Sequence, residues 1–329
     1  MNERELQDAV GRLPKSIDPP RDLWPEIEAR IGARASSWRR RWYWVPLAAA
    51  AAFVFLLIGR GERNAWDVTA LAGRPLIGTT RLAASGRLRV GDWLQTDDSS
   101  RALIAVGRIG QVEVRPDTRV QLVVASATEH RLALARGTID AKVEAVPRLF
   151  FVETPAGTAI DLGCAYTLET DSLGKGLLHV TAGEVEFQTG PRSSRVPLGA
   201  LMQIRPSTGP GTPYVDDAPA PFVRALVAFD FGRGRARAIR NVLALARPQD
   251  ALSLWHLLQR VDPALRGLVY DRLAALVPPP PGVTRRRAIA LQSRDLEGYW
   301  TRIQRIHFRL TVLRGVRRLD PRTGATARE

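Results

Sequence analysis

The sequence predicts a mainly β domain that is preceded by one transmembrane helix and followed by an α-helical domain. Between residues 88 and 205, apolar and polar side chains alternate with period two, and turns containing Gly or Pro interrupt the alternation. This pattern is typical of short strands that have one solvent-facing side. Beyond residue 221 the apolar spacing changes to three and four, which indicates helices. Residues 42–59 contain no charged side chain.

The uncharged segment 42–59 is the predicted transmembrane helix. A helix of this length spans about 27 Å, close to the roughly 30 Å hydrocarbon core of a bilayer. Three consecutive arginines, at positions 39–41, precede it, and the positive-inside rule then places the N-terminus in the cytoplasm. The sequence therefore predicts a single-pass protein of the cytoplasmic (inner) membrane, with its C-terminal domains in the periplasm or outside. A buried core helix and a cleaved signal peptide are the alternatives.

Composition and spacing divide the chain into seven predicted parts. Residues 206–221 are rich in Pro and Gly, as linkers are, and the last residues combine Arg with small polar side chains, as disordered tails do. The parts are a short cytoplasmic arm (1–41), the transmembrane helix (42–59), a connector (60–87), an all-β domain (88–205), a linker (206–221), a basic helical domain (222–313) and a disordered tail (314–329).

The ordered motifs of the β region resemble those of FecR-like domains, and the resemblance extends over residues 88–205. Where that family usually has Thr and Phe, this chain has Cys164 and Tyr166, which we interpret as core substitutions, with a redox thiol as the alternative. The motifs are GDWLQT (91–96) with SRA (100–102), VEV (112–114) with PDT (116–118), LARGTI (134–139), FVETPAG (151–157), GEVEF (183–187) and LGA (198–200).

The FecR-like resemblance implies both a fold and a function. The fold is an antiparallel sandwich or a solenoid. The function is that of a non-catalytic single-pass membrane protein that transmits an envelope signal, as a regulator or accessory of a sigma/anti-sigma system. Its partner would be a sigma factor, an anti-sigma factor, or an outer-membrane or envelope protein. The segment at 13–31 also resembles the juxtamembrane region of anchored anti-sigma factors, but their zinc-binding module is absent from the sequence before it.

The N-terminal arm contains the predicted partner-binding residues. Leu23, Trp24, Ile27 and Ile31 are spaced by one, three and four, which gives an apolar stripe on a short helix. So short a helix does not bury such a stripe by itself. We therefore predict that the stripe docks on a cytoplasmic protein, and an amphipathic helix lying on the membrane is the alternative.

The positive charge of the chain is concentrated in its last third. Of the net charge of +15, residues 217–329 contribute +12, from 21 arginines against nine acidic residues. This charge favours an alternative function, an envelope scaffold that binds cell-wall polyanions, anionic lipid or a membrane protein complex. Ordinary solvent-exposed helix faces that use Arg in place of Lys would have the same composition. The predicted polyanion or membrane contacts are Arg233, Arg235, Arg237, Arg240, Arg285, Arg286 and Arg287.

The sequence contains none of the motifs that we associate with catalysis. Cys164 is the single cysteine, and the four histidines lack the spacing of a metal site. There is no phosphate-binding loop and no nucleophile elbow. We therefore expect no enzyme activity, no catalytic residues, no metal, no cofactor, no small-molecule substrate and, from the predicted topology, no contact with nucleic acid.

Overall fold

The computed structural model describes residues 65–319, and side chains through residue 311. This part of the chain contains eighteen β-strands, followed by helices. The strands are β1 (Ala65–Ala72), β2 (Leu76–Ile77), β3 (Thr80–Arg81), β4 (Ser85–Arg89), β5 (Trp93–Gln95), β6 (Arg101–Val106), β7 (Gly110–Val114), β8 (Arg119–Ala125), β9 (His130–Val143), β10 (Phe150–Thr154), β11 (Gly157–Asp161), β12 (Ala165–Thr170), β13 (Gly176–Ala182), β14 (Glu184–Thr189), β15 (Arg192–Pro197), β16 (Ala200–Arg205), β17 (Gly209–Pro210) and β18 (Tyr214–Val215).

The strands form two sheets that share the long strand β9. Sheet I has the order β4-β1-β6-β7-β9-β12-β13-β16, and β17 and β18 both pair with β16. Sheet II has the order β3-β2-β5-β8-β9-β10-β11-β14-β15. All pairings are antiparallel except that of β9 with β10. The N-terminal half of β9 belongs to sheet II and its C-terminal half to sheet I.

The core lies between the sheets and follows from the alternation in the sequence. On β12, Tyr166 and Leu168 are buried, whereas Thr167 and Glu169 face outward. On β14 of the other sheet, Val185 and Phe187 are fully buried. Burying one such apolar side chain stabilises the fold by about 1.5–3 kcal/mol. Period-two patterning therefore selects which side of each strand enters the core.

The predicted fold class is wrong in one part: the described residues contain no transmembrane helix. None of the helices in residues 65–319 is long and apolar enough to cross a membrane. The 27-residue helix Ser293–Leu319 carries charged residues along its length, and the others have at most 12 residues, where a span needs about 20. The inner-membrane, single-pass localisation is therefore not supported. The predicted span, 42–59, lies outside the described residues.

Two segments without a predicted fold contain strands. Strands β1 to β3 lie within residues 60–87, the predicted connector, and β4 begins there. Residues 206–221, the expected linker, contain β17 and β18, and residues 209–213 are buried. Proline is compatible with such positions because an edge strand does not need every N–H group. The high Pro and Gly content of residues 206–221 therefore accompanies edge strands and does not mark an unstructured linker.

The helices begin directly after β18. Two short 3-10 turns, Pro248–Asp250 and Pro263–Leu265, each start with a proline and lead into a helix, as expected for a residue that needs no N–H partner at a helix entry. The α-helices are α1 (Ala220–Phe231), α2 (Arg235–Leu245), α3 (Ala251–Arg260), α4 (Arg266–Leu276), α5 (Arg285–Ile289) and α6 (Ser293–Leu319).

Helix α1 is held to the strands by a buried carboxylate. Asp230 is 4% exposed, and it accepts hydrogen bonds from Thr212 N (2.6 Å) and from Arg192 Nη2 (3.1 Å). Arg260 of α3 lies 3.5 Å from the same carboxylate. Burial lowers the pKa of Arg260 to about 10, so its guanidinium is still protonated at neutral pH. The Asp230 cluster thus joins α1, α3 and sheet II through one charge.

Helix α3 covers the outer edge of sheet II. Strand β15 is the last strand of that sheet, and α3 side chains donate to its free carbonyls. Arg260 Nη2 donates to Ser193 O (2.9 Å), and His256 Nε2 lies 2.9 Å from Arg195 O. Because a carbonyl oxygen only accepts, His256 carries its proton on Nε2. The edge carbonyls are therefore satisfied by side chains in place of a further strand.

Candidate functional site

A groove of about 1050 Å³ lies between the end of sheet I and helix α1. Four neighbouring strands form its floor. Thr138, Glu169, Leu177 and Gln203 occupy matching register positions on β9, β12, β13 and β16. They alternate with core residues, so their side chains lie on the outer face of the sheet. A single row of outward residues from distant parts of the sequence thus builds one surface.

Helix α1 forms one wall of the groove. Its lining residues are Val223, Arg224, Val227, Ala228 and Phe231. These follow the spacing of three and four that places residues on one helix face. The opposite face, with Phe222, Leu226 and Phe229, is buried. The amphipathic pattern of α1 therefore leaves a partly apolar wall open to the groove.

The groove combines apolar surface with charges of both signs. Lys175, Arg205 and Arg224 contribute the basic groups, and Asp117, Glu169 and Asp171 contribute the acidic groups. The Arg205 guanidinium lies 5.4 Å from the Phe231 ring centre, within the range of a cation–π contact. Such mixed lining is suited to an amphipathic protein segment, which presents both apolar and charged side chains.

Hydrogen bonds join three of the motifs of the β region, and two of these motifs line one side of this groove. Thr96, the last residue of the first motif, accepts a hydrogen bond at Oγ1 from Thr118 N (2.9 Å). Thr118, from the second motif, accepts at Oγ1 from Thr138 N (2.9 Å), in the third. Both Thr96 and Thr118 are buried. The motif threonines therefore form a chain of hydrogen bonds that fixes the groove-lining turn at residues 116–117 and the groove-lining residues 137–138 of β9.

Gly137 belongs to the same arrangement. Its φ is +98°, in the region that favours glycine. A Cβ at this position would lie 2.4 Å from Thr118 Cα. The glycine of the LARGTI motif is thus required by the close approach of the PDT turn. The two motifs are about 20 residues apart in sequence, and their spacing alone does not reveal this contact.

The predicted basic residues differ in whether they have partners within the described part of the chain. Arg285 makes a bidentate pair with Asp271 (2.7 and 2.9 Å), and Arg287 pairs with Asp295 (2.8 Å). Arg235 lies over the Phe229 ring at 4.3 Å and donates to a main-chain carbonyl. The other four predicted residues form no hydrogen bond or ion pair with another described side chain: Arg233, Arg237, Arg240 and Arg286.

The predicted partner-binding residues Leu23, Trp24, Ile27 and Ile31 lie outside the described residues. Their docking role stays a prediction. The residues that line the groove were not among the predicted site residues. The only signal for the strand residues among them is the outward position of each in its own strand. They come together only because strands that are distant in the sequence pair with each other.

Cys164 lies in a buried polar cluster of the β region. Its Sγ is 2.5 Å from Asp161 Oδ2, and Gly163 N donates to Asp161 Oδ1 (2.6 Å). Burial, and then the charge of Asp161, raise the pKa of the Cys164 thiol. Burial also raises the pKa of Asp161. A buried, protonated thiol has little nucleophilic character, which fits the interpretation of Cys164 as a core residue.

The described residues contain no group of three or more His, Cys, Asp or Glu side chains that could hold a metal ion. The strongest candidate for a functional site in this part of the chain is therefore the groove, which has the features of a binding surface.

The similarities to known proteins are weak. No protein-family model matches the chain, and no curated protein matches it. Two crystal structures of a "putative anti-sigma factor" from Parabacteroides distasonis ATCC 8503 are similar to part of it, each with a TM-score of 0.34 and with 14% and 15% sequence identity. The matches cover 41% of this chain and 64% and 63% of those chains, which is less than two thirds of their length. The resemblance of the motifs to FecR-like domains stays a prediction.

Proposed function

We propose that this protein is a non-catalytic regulator or accessory of a sigma/anti-sigma system, and that it acts by holding a segment of its protein partner in the groove between sheet I and α1. The observation that carries the proposal is a chain of hydrogen bonds through three FecR-like motifs, two of which line the groove. The hydrogen bonds from Thr96 through Thr118 to Thr138 hold the PDT turn and the adjoining part of β9 along one of its sides.

The chemistry of the groove supports a protein segment as the ligand. Leu177 and Phe231 supply apolar contacts, and both line the groove together with basic and acidic side chains. Amphipathic segments dock through apolar anchors, and charges at the rim select among partners. The partner in this proposal is a sigma factor or an anti-sigma factor.

The test is direct binding of the full-length chain to each sigma factor and anti-sigma factor of its source organism, measured with purified proteins by biolayer interferometry. We expect one such pair to bind with a dissociation constant in the micromolar range or tighter, about −8 kcal/mol or more. Absence of binding to every one of them, together with an unchanged transcriptome on deletion of the gene, would contradict the proposal.

A matched pair of variants tests the groove itself. Ala228 is exposed and lines the groove on α1, so Ala228→Arg places a long side chain into it. Ala236 is exposed on α2 and is not among the lining residues, so Ala236→Arg adds the same charge elsewhere. We expect Ala228→Arg to weaken binding about tenfold or more, about 1.4 kcal/mol, and Ala236→Arg to leave it unchanged. Equal effects of the two variants would argue against the groove as the contact.

A further inference from the structure

A second groove, of about 550 Å³, lies along helix α6 and is strongly basic. Arg302, Arg305 and Arg309 line it, at spacings of three and four, so their side chains project from one face of the helix. The lining contains no acidic residue. Along the helix axis these arginines span about 10 Å. Their charges are thus gathered at one place that is distinct from the site of the proposed function.

The opposite face of α6 contacts the β region. Gln304 donates to Glu184, and His307 Nε2 lies 2.5 Å from Leu198 O. Near the start of the helix, Glu297 accepts from Arg195 Nη1 (2.9 Å). Because these contacts fix α6 through one face, the face with the arginine row is left for another contact.

The three arginines have no counter-charge within the described part of the chain. Arg302, Arg305 and Arg309 form no hydrogen bond or ion pair with another described residue, and Arg302 Nε is a buried donor without an acceptor. Arg285 and Arg287, by contrast, are each paired with an aspartate. Like charges at these spacings repel each other, so an anionic ligand would relieve an unfavourable arrangement.

Gly298 gives independent evidence that the floor of this groove is open. It lies within α6 and lines the groove. Glycine inside a helix is less stable than alanine. A Cβ added at Gly298 would meet only Val283 Cγ2, at 3.9 Å, which is ordinary van der Waals contact. Packing therefore does not require glycine here, and its effect is to leave space beside the arginines.

We propose that the α6 groove binds an acidic segment of a protein, with carboxylates on the arginine row and an apolar side chain against its wall. The wall is formed by Pro280, Pro281 and Ile306. Arginine pairs well with carboxylates because its planar guanidinium donates two parallel hydrogen bonds. The apolar wall provides contact area that makes the groove select an acidic segment with an apolar side chain over a simple anion.

The same lining favours a peptide over nucleic acid. Single-stranded nucleic acids bind through aromatic side chains on which the bases stack, and the eight lining residues include no aromatic ring. Proline has a carbonyl acceptor but no N–H donor. Pro280 and Pro281 therefore complement a peptide backbone, which has N–H donors, better than a phosphate backbone, which has none.

The test uses the full-length chain and a fluorescein-labelled peptide of alternating glutamate and leucine, read by fluorescence anisotropy at low salt. Substituting Arg302, Arg305 and Arg309 together by Gln removes the row. We expect this triple variant to bind the peptide about tenfold more weakly or worse, from three ion pairs of modest strength. The variant Gly298→Leu keeps the charges but fills the groove, and we expect it to weaken binding as well.

The control changes to Gln three arginines elsewhere whose side chains are exposed and unpaired among the described residues, Arg74, Arg81 and Arg108, and thereby loses the same charge. We expect it to change peptide affinity less than twofold, about 0.4 kcal/mol. Equal losses in the two triple variants would overturn the proposal, because general attraction would then account for binding. Absence of peptide binding would also overturn it, and so would an oligothymidine that binds the groove more tightly than the peptide. Circular dichroism melts of each variant confirm that the fold is retained.

Discussion

The β region and the helical region are stabilised in different ways. In the strands, Asp161 is the one fully buried acidic residue among those the structure describes, and apolar side chains make up most of the interior. The helices, although shorter in total, bury Asp230, Asp250, Asp295 and His256. Apolar burial responds little to pH, whereas buried charges depend on their partners. The attachment of the helices is therefore more sensitive to pH and to the loss of one charged partner than the β core is.

The largest expected effect comes from Asp230. Asp230→Ala leaves Arg260 and Arg192 without their shared carboxylate, and breaking such a buried pair costs about 3–5 kcal/mol of the free energy of unfolding. Urea denaturation measures it. The control is Glu297→Ala, which breaks an ion pair with a carboxylate that is 63% exposed and should change stability by less than about 1 kcal/mol. If the two variants are equally stable, the buried carboxylate contributes no more than an exposed one, and the helices are not attached through a sensitive buried charge.

A smaller effect is expected for the threonine chain in the β region. Thr118→Val keeps the shape but removes the acceptor for Thr138 N–H, which is then left unsatisfied in a partly buried position. The expected loss of stability is about 1–3 kcal/mol. Thr128→Val, at an exposed position, is the control and should lie within about 0.5 kcal/mol of the parent. A loss for Thr118→Val no larger than for the control would show that the motif threonines contribute little.

The pH dependence of stability tests the role of His256. Burial, and then the nearby charge of Arg260, hold the pKa of His256 well below its usual 6.5. The unfolded chain takes up this proton near pH 6.5 and the folded chain does not. Stability is therefore highest above about pH 7.5 and falls as the pH drops through 6.5, by about 1.4 kcal/mol between pH 7.5 and 5.5.

His256→Gln should reduce this slope, because a glutamine N–H can still donate to Arg195 O without titrating. His130, whose pKa burial also lowers, contributes with the same sign and keeps part of the slope. Guanidinium titrations at several pH values measure the difference. An unchanged slope in the variant would show that His256 does not cause the pH dependence of stability in this range.

The smallest expected effect is a gain. Gly298→Ala should stabilise α6 by about 0.5–1 kcal/mol, because alanine is the better helix former and the added methyl group has room. Thermal melting followed by circular dichroism checks the sign. A loss of stability would show that packing requires the glycine after all, and would remove one support for an open α6 groove.

The sequence indicated much of the β region because its strands follow local alternation. The alternation at residues 165–170 and 184–189 corresponds to β12 and β14. The pairing that places Thr138 beside Glu169 and Leu177 beside Gln203 is not local, so the first groove could not be predicted. Register between distant strands depends on the packed core as a whole.

The sequence also does not show which arginines are paired in the folded chain. A run such as Arg285–Arg287 stands out in a sequence, but Asp271, 14 positions earlier, pairs with Arg285. Arg302, Arg305 and Arg309 are less conspicuous because other residues separate them. Helical periodicity was sufficient to place those three on one face. Which arginines have partners could only be learned from the folded chain.

The cap that α3 places on β15 has a consequence beyond the attachment of the helices. Open sheet margins recruit strands from other molecules and so promote amyloid-like association. By occupying Ser193 O and Arg195 O with side-chain donors, α3 denies that margin to a neighbouring polypeptide. The helical region thus also protects the β15 edge from intermolecular pairing. We expect a chain truncated before the helices to self-associate through β15.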